Sequence, residues 1–550
     1  MKNSLVACLM LCFSISFAQL SVQNDAYVFV NDQVLFVTDD VNIDDANSKI
    51  YLRNEAQLLQ GSGTTGNSGV GELSVYQNGT VNQWAYNYWC SPVGGILTNA
   101  FGNNDFRIDQ LDDPLLSTLS TTDSNNSLFT TAYEGTADPL LISSRWLWMF
   151  VSSDEYSEWI PAAIGGNANV DINPGLGFTM KGTGTATTGN TDYDFRGKPN
   201  NGTILVNGID TGGAGTVPSV SRTDYLLGNP YPSAIDAQQF ILDNGPTIEG
   251  SGNTTGTLYF WEHWGGGSHV LQEYQGGYAL YNLSGGVPAP APDPDVAQVG
   301  VGTKTPGQYI PVGQGFFVSG ISTGPITFEN DQRVFAKEGG SSSLFLRGNN
   351  TSRIEIDAQT EINTEEIDDR MKFRIGFNAA NSLELHRQLL LTIDERATTD
   401  VDWAYDGKMN ETQTDDMYWV INDESYVIQG SDEAVPSSVY PLGLKTNTEG
   451  VNTIKIDELE NVPGDIKIYV HDIELDLYHD LRQSDYEVYL DAGVYENRFV
   501  LAAGLPNWGL SKIKTAVSSA SGSASSTGII LRARANVPNG KVNIAWPWVV

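Results

Sequence analysis

Along most of the chain apolar and polar residues alternate with a period of two, or β-branched and aromatic residues gather in short runs. Tyr27-Val28-Phe29-Val30, Val34-Leu35-Phe36-Val37, Thr453-Ile454-Lys455-Ile456 and Tyr486-Glu487-Val488-Tyr489-Leu490 are examples. Successive strand side chains point to opposite faces, so the pattern predicts strands rather than helices. Asn-Gly, Asn-Asp and Pro-Gly steps punctuate the runs, and 57 glycines supply turn positions. The expected class is all-β, built as several β-sandwich-like modules in tandem. Short helices are expected only at Ala234–Leu242 and Ser382–Gln388. Between residues 19 and 80, strand-length runs are separated by Asn31-Asp32, Asp39-Asp40 and Asp44-Asp45. That spacing fits a short β-solenoid or a plain meander.

A tandem duplication organises the middle of the chain. Ser91-Pro92 and Gly177-Phe178 return as Asn229-Pro230 and Gly315-Phe316, every member 138 residues further on. Ser-Pro and Asn-Pro enforce an extended residue and then a turn, while Gly before Phe lets backbone approach closely where an aromatic ring enters the core. The anchors therefore read as scaffold, and a binding surface is expected in what the copies do not share. Boundaries follow: a signal peptide at 1–18, an N-terminal β segment at 19–80, copy one at 81–205 and copy two at 206–340. A C-terminal β-sandwich occupies 341–501, with strands at Phe373–Phe377, Leu389–Ile393, Tyr418–Ile421, Ile466–Val470 and Glu496–Leu501. Residues 285–311, rich in Pro, Gly and Ala, read as an exposed loop; residues 502–550 read as a linker or the product of a shifted reading frame.

Composition narrows the function classes. Met1–Ala18 has one basic residue, an apolar run from Leu5 to Phe17 and a small-x-small end at Ser16 and Ala18, the signature of a cleaved secretory signal. The expected location is extracellular or at the cell surface after export across the inner membrane. No stretch approaches the roughly 20 apolar residues of a membrane helix. Cys90 is the one cysteine beyond the signal, which excludes an internal disulfide and a cysteine-based zinc cluster. Net charge is −36, with 66 acidic against 30 basic residues, and the tail cations Lys512, Lys514, Arg532, Arg534 and Lys541 make the rest more acidic still. Nucleic acid is excluded as a partner, since phosphate binding needs a basic footprint.

Several motifs carry a family resemblance. Trp84-x-Tyr86-x-Tyr88-x-x-Ser91-Pro92-Val93, Phe195-x-Gly197-x-x-Asn200-x-Gly202, the run Leu226 to Asp236, Gly313-Gln314-Gly315-Phe316-Phe317-Val318 and Asp402-x-x-Tyr405-Asp406-Gly407 resemble large secreted surface proteins of Bacteroidetes-type bacteria. The resemblance covers about residues 80–501 and implies cargo of the type IX secretion system, adhesin-like or of unknown function. It transfers no catalytic residue. Such proteins usually close with a C-terminal sorting domain, and residues 502–550 lack its Gly-rich strand pattern.

Candidate chemistry is sparse. Gly61-Ser62-Gly63-Thr64-Thr65-Gly66 satisfies a dinucleotide glycine pattern, but Glu72-Leu73-Ser74-Val75-Tyr76 follows as a strand where a helix is required. No Walker loop or His-Glu-x-x-His pair occurs. Trp261, Glu262, His263, Trp264 and His269 form the candidate glycan site, because a glycine-rich loop would leave an aromatic face exposed for stacking on a sugar ring, whereas alternation, burying one tryptophan and exposing its neighbours, points to a core tryptophan beside a solvated loop; Glu262, His263 and His269 are also the zinc-type ligands. Asp394, Asp400, Asp402 and Asp406 crowd a turn-rich stretch suited to calcium, the one candidate cofactor, although Ala404 breaks an EF-hand spacing. The leading expectation is a non-enzymatic adhesion protein binding polysaccharide or surface matrix. The alternatives are a polysaccharide-active enzyme with unidentified carboxylates and a structural surface-layer component; oligomeric state is open.

Overall fold

A computed structural model describes residues 20–61, 66–79, 81–96, 102–115, 121–153, 158–184, 191–208, 223–246, 252–290, 300, 302–338, 368–380, 385–409, 413–434 and 438–504, together with the paired strands 530–533 and 542–545. The expected signal peptide lies outside the described residues. The protein is all-β, and Ala237–Asp243 is the one α-helix among the described residues. Asp236 caps it by accepting the Gln238 and Gln239 N–H groups. No helix among the described residues is long and apolar enough to cross a membrane.

The N-terminal segment is a three-sided parallel solenoid. Leu20–Val22 pairs with Val41–Ile43, Tyr27–Asn31 with Lys49–Arg53 and Val34–Val37 with Gln57–Gln60, all parallel. Leu20 faces Val41, Tyr27 faces Lys49 and Val34 faces Gln57, so one turn takes 21–23 residues. Asn24, Asp25, Asp32 and Asn54 hold positive φ at the corners, which Asn and Asp tolerate best after glycine. Val22, Ile43, Ile50, Leu52 and Leu58 stack inside.

Glu72–Gly79 adds a third rung to the solenoid and is also the first strand of copy one. Each copy nests one antiparallel pair inside another. In copy one Glu72–Gly79 pairs with Thr191–Pro199 and Tyr86–Cys90 with Gly177–Lys181. In copy two Ile204–Gly208 pairs with Gly324–Phe328 and Asp224–Gly228 with Gly315–Gly320. The inner registers are equivalent, Cys90 facing Gly177 and Gly228 facing Gly315. The copies also grip each other through a local pseudo-twofold axis. Cys90 N–H donates to Gly313 O at 2.9 Å, and its equivalent Gly228 N–H donates to Gly175 O at 3.1 Å. Gly175 and Gly313 hold φ of +88° and +76°, a conformation that favours glycine.

Three expectations change. His386–Ile393 is a strand, paired on both sides, where a helix was expected through Gln388. Gly285–Val287 is a buried strand, and the exposed reading of 285–311 fails there because Val287 packs into the C-terminal core. The tail, expected to lack strands, pairs Ile530–Ala533 with Val542–Ala545.

The C-terminal module is one eleven-stranded sheet, running in order from Leu477–Asp480 at one edge to Tyr486–Leu490 at the other. These edge strands are joined by a short link, and Tyr486 Oη donates to Asp472 Oδ2 at 2.8 Å in the strand next to the opposite edge. The sheet thus curls until its edges nearly meet and encloses one core, as facing layers of a sandwich would. Trp419 is fully buried there and donates its indole N–H to Leu390 O at 3.1 Å.

Candidate functional site

Thr254–Gly265 is the long strand that carries the Trp-Glu-His-Trp run. It is packed on both faces: Leu258 and Phe260 enter the copy-two core, while Tyr259 and Trp261 enter the core continuous with the C-terminal sheet. Alternation therefore gives no exposed face. Trp261 is stacked on Tyr88 at 6.0 Å and 13° and meets Tyr278 edge-on at 5.0 Å, so it is core and cannot stack on a sugar. Glu262 is buried and accepts from Thr303 N, Thr303 Oγ1 and Lys304 N at 3.2–3.3 Å. Burial raises its carboxyl above the usual range, opposed by the Lys304 charge and these donors. His263 is buried too; burial first and the Lys181 charge second push it down to about 3, leaving a neutral imidazole whose Nδ1 accepts the Tyr86 N–H at 3.1 Å. Trp264 is half-buried beside Gly300. Only His269 reaches a new surface, across the junction in copy one.

The aspartates are committed individually. Asp394 binds Arg370 and Arg396 at 2.8–3.0 Å; burial raises its carboxyl, but these hydrogen bonds outweigh burial and bring it down to about 2. Asp402 accepts from the Thr398 hydroxyl at 2.9 Å. Asp406 accepts from Asp402 N at 2.6 Å and Gly430 N at 2.8 Å, and burial pushes it up to about 7. Asp400 is exposed. Ala404 takes φ +60° between them, and Trp403 donates to Thr254 O at 2.8 Å, so the segment clamps copy two to the C-terminal module. Among the described residues no group of three or more His, Cys, Asp or Glu side chains could hold a metal ion.

The junction between copies builds a different site. Lys181 ends the inner strand of copy one, and its ammonium lies 3.9 Å from the Trp146 ring, 4.5 Å from Tyr274 and 4.9 Å from Tyr86. It donates to Tyr274 Oη at 2.6 Å and lies 3.1 Å from His269 Nδ1. Burial brings the ammonium down to about 7. His269 stacks on Trp146 at 4.8 Å and 16°, and Tyr133 stands 5.6 Å from His269. Tyr133 is 55% exposed and carries Arg145 over its ring at 4.6 Å. Tyr86, Tyr133, Arg145, Trp146 and Lys181 come from copy one; His269 and Tyr274 come from the hairpin of copy two.

A family model described as Domain of unknown function (DUF8693) matches residues 119–502. The chain belongs to that family. Comparison with curated proteins and with solved structures gives no match. The matched region includes Tyr133, Trp146, Lys181, His269 and Tyr274, and leaves Tyr86 and the solenoid outside it.

The duplication itself holds the signal that sequence reading missed. Lys181 faces Tyr86 in copy one; at the equivalent positions of copy two Ser319 faces Asp224, joined by a 2.9 Å hydrogen bond. The scaffold is shared, and the aromatic box is particular to copy one.

One carboxylate arrangement has an acid–base character. Asp112 is pushed up to about 7 by burial, against the pull of Arg196, and Asp194 lies on the same guanidinium. Asp194 is fully buried and also accepts the Ser74 and Ser124 hydroxyls at 2.6 Å each, which fastens the segment around Ser124 to the solenoid.

Proposed function

We propose that the protein is an exported, non-catalytic surface or secreted β protein that contacts glycan or matrix in adhesion. The observation that carries this reading is the exposed Tyr133 beside the half-buried Trp146 at the copy junction, since aromatic faces stack on the C–H faces of sugar rings. Trp146, at the end of a 3-10 turn, donates its indole N–H to Tyr133 O at 2.7 Å, so the two rings are tied together and need little ordering on binding, which favours affinity. The experiment is a glycan and matrix-protein array probed with the purified chain and with Tyr133→Ala. Binding that Tyr133→Ala reduces about tenfold or more, with thermal stability unchanged, supports the reading; absence of binding to every glycan and matrix protein overturns it.

A second reading, a polysaccharide-active enzyme, starts from Asp112, whose raised carboxyl suits a general acid. Release of reducing ends from a polysaccharide panel, abolished by Asp112→Asn, would establish that reading over the first.

A further inference from the structure

The junction box gathers basic side chains in a strongly acidic chain. Arg145, Lys181 and His269 gather there, and the acidic neighbour is Glu134, whose Oε1 stands 3.9 Å from His269 Nε2. His269 Nε2 is buried and makes no hydrogen bond. Arg145 donates its Nε–H to Thr131 O at 2.5 Å, and among the described residues no carboxylate pairs with its guanidinium. Lys181 is 3% exposed, with the rings of Tyr86, Trp146 and Tyr274, the Tyr274 hydroxyl and the His269 imidazole around it, and among the described residues no carboxylate pairs with it. Ring faces offset part of the desolvation of an ammonium group, and a full counter-charge would offset more. Among the described residues no carboxylate supplies it to Lys181 or Arg145, and Glu134 stands by His269.

We propose that this junction binds an acidic sugar, a ring bearing a carboxylate or a sulfate ester, with Tyr133 and Trp146 against the ring and Arg145, His269 and Lys181 facing the negative group. The proposal rests on the reading of the same surface as a glycan contact and narrows its ligand. Aromatic rings and cations lie side by side over one surface, the pairing that a charged sugar presents as an apolar face and an anionic substituent. His269 arrives on the loop after Gly265, where Gly266 holds φ +106° and Gly267 has open space around it. The imidazole is held there by its stacking on Trp146 and its contact with Lys181. Copy two supplies an internal contrast, because its equivalent position holds the Asp224 carboxylate on Ser319 and would repel the same group.

Isothermal titration of the full chain with polygalacturonate, a sulfated galactan, and the neutral polymers laminarin and hydroxyethylcellulose tests this. The expected result is binding to one of the anionic polymers at least tenfold tighter than to either neutral one. Arg145→Gln, on an exposed side chain whose loss spares the core, should weaken that binding about tenfold, the effect of losing one hydrogen bond to a charged group. Lys181→Met should weaken it further, with circular dichroism confirming that the variant is folded. Polygalacturonate and sulfated galactan separate the carboxylate and sulfate sources. Binding confined to neutral polymers would overturn the acidic-sugar inference and leave the glycan reading standing. No binding to any polymer would remove both. Anionic binding that neither Arg145→Gln nor Trp146→Ala changes would place the ligand elsewhere and also overturn the proposal.

Discussion

Adding one methyl group at either symmetry-related glycine should open the seam between the two copies. A Cβ at Gly177 would stand 2.6 Å from Leu227 O and 2.8 Å from Leu226 Cγ. At Gly315 it would stand 2.8 Å from both Trp89 N and Tyr88 C. Ordinary contact begins near 3.4 Å, so the strands must part by about 0.6–0.8 Å in each case. Much of the obstruction is backbone, which cannot rotate away. Overpacking of this kind costs about 1–3 kcal/mol. The same displacement stretches the Cys90–Gly313 and Gly228–Gly175 hydrogen bonds, adding about 0.5–1.5 kcal/mol for each one lost. Against this, replacing glycine lowers unfolded-state entropy and stabilises by about 0.4–1 kcal/mol. The steric term wins, and Gly177→Ala and Gly315→Ala should each destabilise by about 2–4 kcal/mol. Because both open one seam, the double variant should lose less than the sum. Gly464→Ala, with nothing within 4 Å, is the control and should be neutral or slightly stabilising. Urea unfolding followed by tryptophan fluorescence reads the result, since Trp89 lies buried at the seam. Effects at Gly177 and Gly315 as small as the control, or severe at one and absent at the other, would refute the pseudo-twofold packing argument.

Other outcomes follow from buried charges. Arg333 donates to Ser233 Oγ, Asn201 Oδ1, Asn330 Oδ1 and Leu58 O at 2.6–3.2 Å, tying the solenoid to both copies, so Arg333→Met should cost about 3–5 kcal/mol by calorimetry. Arg333→Lys should rescue little, because one ammonium cannot span those acceptors. Asp416 meets Arg387 bidentately at 2.7 and 2.8 Å in full burial, so Asp416→Ala should destabilise the C-terminal sheet by about 3–5 kcal/mol and raise its hydrogen exchange. Lys181 sits at about 7 when folded against an ordinary 10.5, so its cost is complete below pH 7 and is relieved as the unfolded chain alone holds the proton. Stability should therefore rise between pH 7 and 10 by up to about 1.4 kcal/mol per unit, and Lys181→Met should flatten that limb in pH-dependent urea melts. The nearby groups are His269, whose pKa is lowered by burial, Tyr274, raised to about 12, and Glu134.

The fold class and the duplication were legible because both are written in local pattern. Period-two runs mark strands wherever one face is buried, and the 138-residue echo marks the two positions where backbone meets backbone across the seam. The short helix expected at Ala234–Leu242 forms at Ala237–Asp243, after a strand over Ala234–Asp236. Ser382–Gln388 misled because His386–Ile393 is paired on both edges, and tertiary pairing overrides weak local preference. The site was mostly illegible. Trp261 and His263 resembled a surface cluster, and only the packing of their strand against two cores shows both to be interior.

By itself the sequence determined an all-β chain of tandem modules, with turn chemistry at Ser91-Pro92 and Asn229-Pro230 and close approach at Gly177 and Gly315. Each of these depends on a residue and its immediate neighbours. The tertiary structure alone decided that the first strands run parallel as a solenoid, that the last sheet curls until its edges nearly meet, and that Lys181 is boxed by rings from both copies. The solenoid turn and the composite site join residues from 21 to 123 positions apart, and closure of the last sheet depends on the course of eleven strands at once, so no local pattern carries that information.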